Sequence, residues 1–126
     1  MTSKPYVKIS LFLKKLPNIS DEQFHEHWKG QHVKLAMQNK LFANKTRKYN
    51  QHHITPEYRK QAAEFGIPVL EYDGVAEVWL DSLDDWKEIA SDEEFKKVIV
   101  EDEKLFLQHP IHIQIGYDNL VIPEKQ

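Results

Sequence analysis

Apolar and polar residues alternate through residues 7–13, placing Val7, Ile9, Leu11 and Leu13 on one side, and Pro17 closes the run. A period of two predicts a strand with one buried face. From Asp21 the period changes. Phe24, Trp28 and His32 recur every fourth residue and are continued by Leu35 and Ala36, which predicts an amphipathic helix to about Asn39. Ser20 and Gln23 supply a capping box at its start. Residues 46–54 read as a second, more polar strand. Residues 57–65, opened by Thr55-Pro56 and stopped by Gly66 and Pro68, read as a short helix inserted between strands. Asp73-Gly74 turns into a third strand over residues 75–80. Asp81-Ser82 then caps a helical region over residues 83–107, with a break near Ser91-Asp92. His109-Pro110 ends it, because a residue before proline is pushed out of the helical region, and residues 111–115 alternate once more.

The order strand, helix, strand, strand, helix, strand is the ferredoxin-like βαββαβ plan of the α+β class, an antiparallel sheet with its helices on one face. The second face of such a sheet stays open. Ile111, Ile113, Ile115 and the apolar side of residues 7–13 offer more apolar surface than two helices cover, so the expectation is a two-fold homodimer with its open sheet faces packed together. A length of 126 residues fits a single domain over residues 1–126, large enough to hold a core without staples.

Composition removes several function classes. There is no cysteine, hence no disulfide, thiolate nucleophile or Cys-ligated zinc. A net charge of -3 with interspersed signs argues against a nucleic-acid partner. No apolar run approaches a membrane span of about 20 residues, and Met1-Thr2-Ser3-Lys4-Pro5 carries no signal-peptide core, so a cytoplasmic protein without a membrane partner is expected. No Gly-rich phosphate loop or nucleotide fingerprint occurs, and no cofactor is expected.

The seven histidines carry the candidate chemistry. His32 lies on the buried face of the first helix, where an imidazole must find a partner and where it titrates near neutrality. Tyr49, Gln51 and His53 share one face of the second strand. The two groups are expected to meet across the helix–sheet interface around a cavity lined by Trp28, His32, Tyr49 and His53. His32 and His53 would exchange protons and Tyr49 would donate to a developing oxyanion. Trp28 and Trp79 would sandwich a planar ring, with Phe24 and Gln51 completing the substrate wall. Asp102 or Glu103 can orient an imidazole. Each residue has a plainer reading beside it. A histidine on an apolar face is often a satisfied core residue, the tryptophans suit a core, and Asp102 stands in the charged run Val100-Glu101-Asp102-Glu103-Lys104. His25 and His27 are read as facing solvent, and His109 and His112 as surface or sheet residues. A metal would require His32 and His53 to converge with Asp102; the i, i+4 histidine pair of a zinc helix is missing, and no metal is expected.

Several short motifs resemble the EthD-like proteins of the dimeric α+β barrel superfamily, particularly fungal members of aromatic polyketide pathways. They are Leu11-Phe12-Leu13-Lys14-Lys15 with Pro17, Phe24-x-x-x-Trp28-x-x-x-His32, Tyr49-x-Gln51-x-His53, Asp73-Gly74 through Glu77-x-Trp79, and Asp102-Glu103-x-x-Phe106. Val33-Lys34 follow His32 where the family often has Ala-Pro. The superfamily includes cofactor-free monooxygenases, polyketide cyclases, decarboxylases, dehydratases and members without known activity. The resemblance implies a cofactor-free lyase on an aromatic polyketide-type carboxylic acid in secondary metabolism, with decarboxylation ahead of dehydration or cyclisation. The alternatives are a cofactor-independent monooxygenase that forms quinones and a non-catalytic binding protein for a hydrophobic intermediate.

Overall fold

A computed structural model describes residues 4–126; Met1, Thr2 and Ser3, on which part of the expectation about a signal peptide rests, lie outside the described residues. Four strands, β1 (Val7–Leu13), β2 (Thr46–His53), β3 (Gly74–Leu80) and β4 (His112–Gly116), form one antiparallel sheet in the order β2-β3-β1-β4. With the helices packed on one face, this is the ferredoxin-like α+β fold. Helix α1 spans residues 21–38, made of Asp21–His27, a π-helical turn Trp28–His32, and Val33–Gln38. Helices α2 (Lys40–Lys45), α3 (Pro56–Ala63) and α4 (Leu83–Ser91) follow. Helix α5 spans residues 93–103, again with a π-helical turn, Lys96–Val100, at its centre.

Most of these elements start where local chemistry dictates. Both halves of the capping box form: the Gln23 amide donates to Ser20 Oγ at 3.0 Å, and the Ser20 amide donates to Gln23 Oε1 at 2.8 Å. Thr55 caps α3 with Pro56 in its first turn, and Gly66 leaves the segment at φ 72°, a conformation that costs a residue without Cβ nothing. The break in the second helical region falls at Asp92, whose carboxylate restarts the helix by accepting from Phe95 N at 2.9 Å. Two boundaries differ from expectation. Asn39 leaves the helix and caps the additional α2, accepting from Phe42 N at 2.9 Å. Helix α5 stops at Glu103 rather than near residue 107, where Leu107 instead bridges Lys15.

The strand register decides what each sheet face carries. Ile9 pairs with Val78 and Ile115, and Leu11 with Ala76 and Ile113, so Val7, Ile9, Leu11, Leu13, Ala76, Val78, Leu80, Ile113 and Ile115 share the helix-covered face. There Ile9, Leu80 and Ile89 anchor one buried cluster, and Phe24, Trp28, Phe106 and Leu107 another. Asp73-Gly74 is not a turn but the entry to β3. A Cβ at Gly74 would strike the Trp28 ring, with Cη2 only 2.8 Å away, so this position admits the indole because it has no side chain. The open face carries Lys8, Ser10, Lys48, Asn50, Glu77 and Trp79 instead. This corrects the expected reason for pairing, because the apolar side of residues 7–13 is already spent under the helices and the open face is mainly polar. Ile113 and Ile115, on the edge strand, remain about half exposed.

Candidate functional site

Two polar clusters line the interface between α1 and its neighbours. In the first, Asp102 Oδ2 lies 2.8 Å from His32 Nδ1 and 2.9 Å from His27 Nε2. Asp102 and His32 are each 7% exposed, with the Phe106 ring packed against both imidazoles. A carboxylate only accepts, so both rings donate: His32 through Nδ1–H and His27 through Nε2–H. In its neutral form His32 is thereby left with an unprotonated Nε2. Burial holds the His32 imidazole below its ordinary range although the Asp102 hydrogen bond and charge pull it up, and neighbouring His27 lowers it further.

His27 therefore does not face solvent, a correction with a geometric cause. Five residues along an α-helix rotate a side chain by about 140° from its starting direction. The π-helical turn Trp28–His32 uses i→i+5 bonding, which brings His27 and His32 onto one carboxylate. The second π-helical turn ends two residues before Asp102 in α5.

The second cluster centres on His53. The Gln51 Nε2 group donates to the Trp28 carbonyl at 3.0 Å and toward the Tyr49 hydroxyl at 3.4 Å, leaving Oε1 to accept from His53 Nε2–H at 2.9 Å. His53 Nδ1 is then the acceptor, and His25 Nδ1–H donates to it across 2.7 Å. His25 is thus also not a solvent-facing residue; it is half-buried beside Phe24. Burial, reinforced by His25, Lys29 and His52, pushes the His53 pKa down to about 4. The His53 ring sits 4.4 Å from that of Trp28, centroid to centroid.

An apolar cavity of about 40 Å³ opens between α1, α5 and the sheet, lined by Leu11, Trp28, His32, Tyr49, Trp86, Phe95 and Glu103 among others. It contains Trp28, His32 and Tyr49 of the expected set but not His53, which borders a separate groove with Ile54, Tyr58, Arg59 and Leu70. His32 and His53 thus do not converge. Among the described residues no group of three His, Cys, Asp or Glu could hold a metal ion. Trp79 is a further correction: its register puts it on the open face, where its indole N–H donates to Asp118 at 2.7 Å and the Lys8 and Lys48 ammonium groups lie over its ring. It cannot sandwich a ring against Trp28 within one chain. Phe24 is fully buried beneath Trp28 and does not line the cavity, and Gln51 acts there only through Tyr49 and Trp28.

Glu103 is the group that reading the sequence underweighted. Burial, with Asp102 adjacent, pushes its pKa up to about 7. The signal was present: Phe95, Ile99, Glu103 and Leu107 recur every fourth residue, the same pattern that singles out His32, and all four line the cavity. Burial likewise raises the Tyr49 phenol, keeping it a donor.

The EthD domain profile matches residues 16–110, more than half of the chain. The chain belongs to the EthD family. No curated protein sequence matches it significantly. Solved structures similar to it include a dimeric protein of unknown function and ferredoxin-like fold from Bacteroides fragilis, at TM-score 0.63 and 13% identity over 93% of this chain and 100% of that one. An ethyl tert-butyl ether d (EthD) family protein from Bacillus halodurans aligns at 0.60 and 18%, over 90% and 99% of the two chains. The hydroxynitrile lyase of Passiflora edulis aligns at 0.59 and 14%, over 96% and 100%. At these identities the structural likenesses establish the fold of this EthD-family chain and nothing finer. Among its described residues no helix is long and apolar enough to cross a membrane.

The burial of His53, reinforced by its contact with His25, sets a pH dependence of stability. The folded-state pKa of His53 lies below its unfolded value, so the unfolded chain binds the extra proton first, and stability falls as pH drops from about 6.5 toward about 4. Replacing His53 with Gln removes this contribution. Urea midpoints measured at pH 7.5 and 5 should show a smaller acid loss in His53→Gln than in the unaltered protein; equal losses would contradict the assignment.

Proposed function

We propose that this EthD-family protein is a cofactor-free lyase in which His32 carries protons to and from a planar aromatic or conjugated carbonyl compound of the polyketide secondary-metabolite type. One observation carries the reading. His32 Nδ1 is committed to buried Asp102 at 2.8 Å, while the ring lines an apolar cavity and its Nε2 is left for a ligand. A neutral imidazole with a fixed tautomer is a general base. Asp102 is a positioning residue that touches the ring and not the ligand. His53, engaged by His25 and Gln51, has a structural role.

In dehydration, His32 Nε2 removes a C–H proton alpha to the carbonyl and the Tyr49 hydroxyl hydrogen-bonds the oxygen where charge develops. The C–O bond then breaks, and the hydroxyl departs as water with the proton returned by the imidazolium. Decarboxylation needs the reverse start: the C–C bond breaks as carbon dioxide leaves, and a protonated His32 delivers the proton to carbon. Because burial keeps His32 neutral, elimination takes precedence here over the decarboxylation that the family resemblance puts first. The Passiflora edulis lyase supports the reading only in that the same fold holds a lyase there. A cavity of about 40 Å³ is well below the roughly 300–1,000 Å³ of small-molecule sites, so substrate entry displaces half-buried Trp86 and Phe95 on its outer wall.

The proposal includes a cytoplasmic two-fold homodimer. Its support is the half-exposed Ile113 and Ile115 on edge strand β4, the exposed Leu120, Val121 and Ile122 beyond it, and the dimeric state described for the Bacteroides fragilis neighbour.

His32→Gln should lower turnover of an aromatic β-hydroxy ketone by about 10²- to 10⁴-fold, and Tyr49→Phe by about 10²-fold. His53→Gln should stay within about threefold, and the rate should be the same without oxygen. Near-normal turnover by folded His32→Gln protein would overturn the mechanism, and an oxygen requirement would favour monooxygenation. In sedimentation at micromolar concentration the 14.9 kDa chain should behave as a dimer that Ile113→Asp dissociates; a folded monomer would count against the assembly.

A further inference from the structure

The charge a ligand must have follows from what the cavity wall lacks. Among the described residues its titratable side chains are His32, Tyr49 and Glu103, and no Lys or Arg lines it. His32 is backed by Asp102 rather than by a cation. Glu103 stands between Ile99 and Leu107 on the inner face of α5, and among the described residues its carboxyl has no hydrogen-bond partner. A carboxylate entering this space would give up its water, meet no positive charge and approach the Glu103 carboxyl, with the Asp102 carboxylate behind the His32 ring, a combination that low-dielectric surroundings make unfavourable. A ketone, phenol or alcohol meets a different surface: the Glu103 carboxyl and the Tyr49 hydroxyl can donate to its oxygen, and Trp28, Trp86 and Phe95 provide apolar and aromatic faces.

We propose that the cavity accepts uncharged planar carbonyl or hydroxyl compounds and that Glu103 is the specificity-determining residue that turns carboxylates away. The inference rests on reading this cavity as the site of the proposed lyase and narrows its substrate class to neutral compounds. It needs no turnover to be tested. Burial, with Asp102 adjacent, pushes the Glu103 pKa up to about 7, so the side chain donates when neutral and repels anions when ionised.

The experiment is titration calorimetry at pH 8.0 with two flat probes of similar size, acetophenone and benzoate, against the unaltered protein and Glu103→Gln. Gln preserves shape and hydrogen bonding while removing the acid. The unaltered protein should bind acetophenone at least about tenfold more tightly than benzoate; Glu103→Gln should tighten benzoate by about tenfold and change acetophenone by less than about threefold. Benzoate binding as tightly as acetophenone, a ratio unchanged in Glu103→Gln, or no binding of either probe up to millimolar concentration would each overturn the proposal. Neutral-ligand selectivity in a protein that turns nothing over would sink the lyase reading and leave this inference standing. Turnover of a carboxylate substrate would do the opposite.

Discussion

The interior depends on one carboxylate oxygen. Asp102 Oδ2 accepts from two imidazoles of α1 at 2.8 and 2.9 Å, and this shared acceptor joins the two long helices over the sheet. Removing it would leave the buried His32 N–H unpaired, at about 1–3 kcal/mol, and that of partly exposed His27 with only water to turn to. The pairing fixes more than the distance between helices. It sets the His32 tautomer, leaves Nε2 as the unprotonated nitrogen of a ring that lines the cavity, and puts an acidic neighbour beside Glu103, whose burial together with that neighbour raises it to about 7. A neutral base and a carboxylic acid titrating near neutrality thus arise in one apolar space from a single placement.

The second histidine cluster is built on opposite terms. His53 is held neutral by burial and by His25 rather than tuned by a carboxylate, and Gln51 ties it to the Trp28 backbone. Trp28 is the element common to both: its ring packs near His53, fills the space above Gly74 and forms part of the cavity wall. One cluster therefore holds the wall in place while the other faces the cavity.

Much of the fold was legible because it rests on local rules. The period-two runs, the Ser20–Gln23 box, the Thr55-Pro56 start and the Asp92 restart are all chemistry within a few residues. His32 and Tyr49 were legible as inward-facing for the same reason. What escaped was nonlocal. No spacing rule announces the π-helical turn that brings His27 to Asp102, nor the neighbouring strand residue His53 that His25 meets, so both read as solvent-facing when both are engaged. Trp79 was misplaced because an aromatic residue on a strand does not reveal which sheet face the helices cover; the register with β1 decides that. Glu103 obeyed the four-residue rule, but its setting in an acidic run masked the face it occupies.

The central claim is that Asp102 fixes His32 with its proton on Nδ1. The ¹⁵N chemical shifts of the imidazole rings at pH 7 read this directly. The account predicts His32 neutral, protonated at Nδ1 and unprotonated at Nε2, with that preference lost in Asp102→Asn. A His32 ring that is mainly Nε2-protonated in the unaltered protein, or whose tautomer does not change in Asp102→Asn, would contradict it.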